Sequence, residues 1–171
     1  MELIELLEQW HKGVRIMHQA HMHAAVNFER RARLFGIPVV IFSTAVGTSI
    51  FTGTGNSPTL RIVAGILSFV AAVLSSLQAA LKYPELAAQH KAAAQKYGQL
   101  RRELEVYLAA KPEGTDLANS LDKFQQEWNA LDDQCPTVPQ KVYRQAVEAV
   151  ASTKSLHTPS TGATATATTQ R

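Results

Sequence analysis

The sequence predicts an all-α membrane protein: a two-helix transmembrane hairpin with long cytoplasmic helical extensions and short C-terminal helices. Three observations predict it. Residues 34 to 60, between Arg33 and Arg61, carry no charge, and neither do residues 62 to 81, between Arg61 and Lys82. A short run rich in Gly, Asn, Ser and Pro separates the two apolar cores. The segments on both sides are long, charged and patterned with a helical period. A spanning helix needs roughly 20 mostly apolar residues to cross a hydrocarbon core about 30 Å thick. Both windows reach that length, and no other window among the 171 residues does.

Residues 1–33 form the first unit, an N-terminal cytoplasmic helix. Leu3, Leu7, Trp10, Val14, Met17, His21, Ala24 and Phe28 recur at spacings of four and three, which places them on one stripe. Glu5, Glu8, Lys12, Arg15 and Gln19 make the polar face, and Arg30, Arg31 and Arg33 close the helix. The hairpin occupies residues 34–83. Its first apolar run is residues 34–51, with Pro38 near the start. Pro is better tolerated there than in a soluble helix, because neighbouring helices and hydroxyls re-satisfy the backbone. Residues 52–58 read as a tight turn. The second run covers residues 62–81 and is closed by Lys82 and Tyr83, a cation and an aromatic at the interface.

Residues 84–151 hold the cytoplasmic C-terminal helices. Pro84 suits the first turn of a helix over 85–110. Leu86, His90, Ala93, Tyr97, Leu100, Leu104 and Tyr107 form its stripe. Residues 111–116 break it. A shorter amphipathic helix near 117–131 carries Leu117, Leu121, Phe124, Trp128 and Leu131 on one face. Residues 135–139, with two prolines, are a second break, and 140–151 a last short helix. The tail, 152–171, is Ser, Thr and Ala with nothing to bury, and disorder is expected.

Cations flank both spans on one side: Arg30, Arg31 and Arg33 before the first, Lys82 after the second. The turn offers only Arg61, which can snorkel to headgroups. The positive-inside bias therefore places both termini in the cytoplasm. Two other readings compete with this one. A soluble bundle with two buried central helices is disfavoured because the chain has little mass to cover both on every side. Arg30 and Arg31 resemble a twin-Arg signal, but a folded-looking helix precedes them and the second run would survive cleavage.

Composition narrows the function. The net charge of +3 is small and spread out, with no basic run interleaved with aromatics, so nucleic acid is not an expected partner. One cysteine, Cys135, excludes an internal disulfide and a multi-cysteine metal cage. There is no Gly-rich phosphate loop, nucleophile elbow or inward carboxylate pair, so no enzyme, catalytic residue or cofactor is expected. Glu103 and Glu105 beside Arg101 and Arg102 read as a solvated face. His11, His18, His21 and His23 crowd the first helix, with His90 the remaining plausible partner. Seam histidines are the better reading than a metal site, which needs three or four ligands in fixed geometry.

Two sets of residues in the spans suggest function. Ala64, Ser68, Ala72, Ser76 and Ala80 recur every four residues, a small-xxx-small ridge that lets helix backbones approach. Ser43, Thr44, Gly47, Thr48, Ser75 and Gln78 form a mildly polar set able to line a narrow, weakly selective pore. The plainer reading of each hydroxyl is a hydrogen bond to its own i−4 carbonyl. No charged ring lies mid-span, so strong charge selection and proton relay are not expected.

The order of parts resembles a known family. A helix ends in RRARLFGIP, an apolar span, a Gly-rich turn and a second span follow, and then YPELAAQHKAAAQKYGQLRRELEVYL with His90, Tyr97, Leu100 and Arg101. This is similar to the SLATT family, two-transmembrane effector domains found beside nucleotide-signalling genes in bacterial conflict systems. The resemblance implies a homo-oligomeric, pore-forming effector of the bacterial inner membrane. Its expected partners are membrane lipid, further copies of itself, and a nucleotide-signalling synthase or sensor protein as trigger. The alternatives are a non-conducting membrane scaffold that recruits a partner, and a soluble helical interaction domain.

Overall fold

The computed structural model describes residues 3–51, 57–110 and 115–156. All regular elements among them are α-helices: α1 (Leu3–Phe51), α2 (Pro58–Leu81), α3 (Tyr83–Ala109), α4 (Thr115–Gln134) and α5 (Gln140–Leu156). The expected turn over 52–58 lies almost wholly outside the described residues, as do most of the 111–116 break and the tail beyond Leu156.

α1 is one continuous helix of 49 residues. The expected end at Arg33 is not a break: Arg33 sits inside the helix, and so does Pro38. Proline removes one backbone donor and crowds the preceding turn, which usually kinks or breaks a helix. Here the flanks, Leu34 to Ile37 and Val39 to Phe42, are apolar, so there is little to gain by opening the backbone elsewhere. α2 starts at Pro58, with Ser57 at the N-cap position and proline in the first turn, where the lost N–H was unpaired anyway. It ends at Lys82, whose φ of 46° and ψ of 33° place it in the left-handed region. The Lys82 amide donates to the Gln78 carbonyl at 3.3 Å, and its own carbonyl accepts from Leu86 at 3.0 Å. One residue therefore ends α2 and starts α3. α5 continues through Leu156, beyond the expected start of the disordered tail, because no breaker occurs before Pro159; within it the Ser152 hydroxyl donates to the Ala149 carbonyl at 2.9 Å.

The N-terminal part of α1 packs antiparallel on α3 along the two stripes expected from the sequence. Leu7, Val14, His21 and Ala24 on α1 are buried, as are His90, Ala93, Tyr97, Leu100 and Leu104 on α3. The arms thus pair within one chain. α4 closes over that seam: Leu117, Leu121 and Phe124 join Leu7, Val14, Tyr97, Leu100 and Leu104 in one core. Trp10 meets Trp128 edge-on at 6.4 Å, and Tyr107 meets Phe124 at 5.4 Å. Gly13 admits the Trp128 ring; a Cβ there would clash with the outer edge of that ring, well inside van der Waals contact. Each fully buried Leu, Val or Phe contributes roughly 1.5–3 kcal/mol. α5 covers a second face of α1, where Ile16 and Ala20 pack against Ala146 and Val150.

The C-terminal part of α1 leaves this bundle and runs antiparallel along α2, with Gly36 beside Gln78. Among the described residues no further helix covers the outer faces of this pair. An 18-residue window at the α2 end of the Pro58–Ala109 segment has a mean hydropathy of 2.1, long and apolar enough to cross a membrane, and only 6% of it is buried within the chain. Among the described residues this is the one such helix; the end of the first apolar run, residues 49–51, falls outside the described side chains.

Candidate functional site

α1 and α2 enclose an open cleft of about 460 Å³. Ser43 and Gly47 line it from α1, and Ser68, Ala72 and Ser75 from α2. Two expectations from the sequence therefore meet in one place: three of the polar candidates face two of the small-residue ridge. A Cβ added to Gly47 would meet nothing within 4 Å, so the cleft is unfilled at that level. Gln78 lies one end further along the seam, its amide against Gly36.

The remaining candidates point elsewhere. Thr44 and Thr48 are exposed, and their hydroxyls donate to the carbonyls of Val40 and Thr44, each at 2.8 Å. The Ser76 hydroxyl does the same to Ala72 at 2.9 Å. Such back-bonding satisfies a hydroxyl without a partner helix. Ala64 is half-buried, whereas Ser76 and Ala80 are exposed. The reason is geometric. With 3.6 residues per turn, a strict four-residue repeat drifts by roughly 40° per step. The face that meets α1 follows alternating spacings instead: Ala64, Leu67, Ala71, Leu74, Gln78 and Leu81 are the buried or half-buried members. Two ridge members are left on the outside of the pair.

Below the cleft, rings stack in sequence along the α1–α3 seam. Phe35 stacks on Tyr83 at 5.9 Å, Tyr83 lies 6.1 Å from Phe28, and Phe28 stacks on His90 at 5.4 Å. His90 lies 5.2 Å from His21, which stacks on Tyr97 at 5.3 Å. The Tyr97 hydroxyl donates to Asp132 of α4 at 2.5 Å. The Arg31 guanidinium lies over both Phe28 and Tyr83, at 5.8 and 5.9 Å. The ladder thus runs from the apolar helices to the far helix of the bundle.

The histidines are held by this seam. His21 and His90 share one hydrogen bond between their Nδ1 atoms at 3.0 Å, so one donates and the other accepts. His18 donates from Nδ1 to the Ala94 carbonyl at 2.8 Å, and His11 donates from Nε2 to Glu105 at 3.1 Å. His23 is exposed. Burial, with the neighbouring His90 second, pulls His21 down to about 4. Burial lowers His90 as well. Burial and the hydrogen bond to Asp132 push the Tyr97 phenol above its ordinary range. Burial raises the Cys135 thiol, against the pull of Lys96. Neutral rings suit a dry seam, where an unpaired charge would be costly. Among the described residues no group of three or more His, Cys, Asp or Glu is placed to hold a metal ion. The stacking order of the ladder is invisible in the sequence, because it depends on how α1 and α3 register.

Comparison with curated proteins and with solved structures finds no match. The family described as SMODS and SLOG-associating 2TM effector domain family 4 matches residues 3–160, which takes in every described helix. The chain therefore belongs to that SLATT family of membrane effector domains.

Proposed function

We propose that this chain is an oligomeric, pore-forming effector of the bacterial inner membrane, acting in anti-phage or conflict defence, with no enzymatic activity of its own. α2 and the C-terminal part of α1 cross the membrane as a hairpin. Both termini lie in the cytoplasm with the α1–α3–α4–α5 bundle. A nucleotide-signalling synthase or sensor protein supplies the trigger.

One observation carries this reading: the apolar window of α2 is only 6% buried within its own chain. A core helix of a soluble protein can be as long and as apolar, but it is covered by its own chain. Here Ile62, Ile66, Phe69, Val70, Val73 and Leu77 are all exposed. A contiguous apolar face of this size demands lipid or protein against it. Lipid covers part of it, and the outward Ser76 and Ala80 provide small positions for close approach by a second copy. Helices that pack side by side in this way enclose a lumen when the ring closes. Ser43, Thr44, Gly47, Thr48, Ser75 and Gln78 are the polar positions available to line it. The effector role and the signalling partner rest on family membership.

Reconstitution tests the reading. Protein in liposomes should release a small encapsulated ion once triggered. Gly47→Leu should change conductance at least severalfold, since the structure leaves open space at that position. A non-conducting scaffold would bind its partner and show no change. A helical interaction domain that stays in solution would need no detergent.

A further inference from the structure

We propose that the cavity between α1 and the start of α5 binds a phosphate group, held by Arg30, Arg31 and Lys141, with the apolar or ring portion of the ligand against Phe28. The cavity is about 410 Å³, and Asn27 and Gln145 complete its polar wall. That is room for one phosphate-bearing head group or small nucleotide, at the lower end of ordinary ligand sites.

The charge pattern is one-sided. Arg30 and Arg31 come from α1 and Lys141 from the first turn of α5, more than a hundred residues away, and no carboxylate lines the cavity. Among the described residues none of the three is in an ion pair. Glu29, the nearest carboxylate in sequence, is turned to Arg33 at 3.8 Å. Three like charges gathered round one cavity repel, and a multivalent anion between them removes that cost. Asn27 and Gln145 add neutral amide donors. The first turn of α5 adds the partial positive charge of a helix N-terminus, which favours phosphate oxygens. Arg31 is held in place by its position over the Phe28 and Tyr83 rings, so part of the site is preformed.

The location suggests two sources for the same chemistry. Arg30 and Arg31 immediately precede the apolar run that begins at Leu34. If that run enters the membrane, as in the reading above, the cavity opens at head-group depth and the phosphate belongs to a lipid. A soluble phosphate ester reaches the same site from the cytoplasm. The membrane placement rests on the proposed function; the phosphate chemistry does not.

The test uses the full chain purified in neutral detergent. Native mass spectrometry measures retention of phosphatidylglycerol against diacylglycerol, which lacks phosphate. Titration calorimetry with ADP measures the soluble arm. Preferential retention of phosphatidylglycerol assigns the lipid source, and binding of ADP alone assigns the soluble one. In either arm, Arg30→Gln with Lys141→Gln should weaken binding roughly tenfold or more, the scale of one charge-assisted hydrogen bond lost. Lys12→Gln with Lys91→Gln, which removes the same charge from exposed sites elsewhere on α1 and α3, should leave it unchanged. Lys141→Gln alone, at an exposed position, keeps the test open if the double variant does not fold. Binding of neither probe, or equal weakening by the two double variants, overturns the proposal. Neither result depends on whether the protein conducts.

Discussion

Phe69 on α2 and Val106 on α3 expose almost the same fraction of their surface, 71% and 72%, yet they stand in opposite surroundings. Around Phe69 the exposed neighbours are Ile62, Ile66, Val70 and Val73. Around Val106 they are Arg102, Glu105 and Ala109. Val106 is an isolated apolar residue on a wet helix, and such residues are ordinary. Phe69 belongs to a continuous apolar face, which is not. The contrast extends to the two halves of the molecule. The α1–α3–α4–α5 bundle hides its apolar stripes from water. The α1–α2 pair meets along Ala64, Leu67, Ala71, Leu74 and Gln78 of α2 and turns a further apolar set, Ile62, Ile66, Phe69 and Val73, outward. One half is built against water and the other against something apolar.

The comparison can be broken at several points. The largest effect should come from the water-built half. Leu104 is 1% exposed in the bundle core, and Leu104→Ala should cost about 2–5 kcal/mol of arm stability, read as a lower denaturant midpoint for the helical signal. A loss under about 1 kcal/mol would mean that the arms are loosely packed. Next, Phe69→Arg should cost roughly 3 kcal/mol of insertion, read as a fall in the carbonate-resistant membrane fraction, because a mid-span arginine is expensive in lipid. An unchanged fraction would place α2 outside the bilayer.

A smaller effect follows from the seam histidines. His21 folds neutral, with its proton affinity pulled down to about 4 from the usual 6.5, and His90 moves the same way. Between those values the unfolded chain binds the proton and the folded chain does not. Stability is therefore complete above about pH 6.5 and is lost as pH falls towards 4, by about 2 kcal/mol at pH 5 from His21. The thermal midpoint of the wild type should drop between pH 7 and pH 5, and His21→Asn should flatten that dependence. A rise on acidification would contradict a dry, neutral seam. The smallest effect closes the comparison: Val106→Arg, at the same exposure as Phe69, should change stability and membrane fraction by under about 0.5 kcal/mol.

Much of the bundle was legible in the sequence, because Leu7, Val14 and His21 on α1, and His90, Tyr97 and Leu104 on α3, follow a period that any partner helix would need. The second contact face of α1 was not. Ile16 and Ala20 are preceded by Arg15 and Gln19, and a single apolar pair beside polar side chains reads as surface until α5 is seen to cover it. The unbroken course of α1 was hidden by Pro38 and by the arginines before it, which mark an interface without marking a break. In the cleft, residue type was readable but direction was not. Ser43 and Thr44 are adjacent, chemically alike and both exposed, yet only Ser43 lines the cleft, because successive helix positions turn by about 100°. The four-residue ridge misleads for a related reason: it spirals away from the contact that the real 3.6-residue period maintains. The ring ladder and the basic cavity need the register of α1 against α3 and α5, which no local pattern encodes.

The most direct test of the account is the native mass of the detergent-purified chain, taken after establishing that it requires detergent to stay in solution. The account predicts a single closed assembly, at one integer multiple of the chain mass greater than one. A monomer, or a protein that remains soluble without detergent, would contradict it.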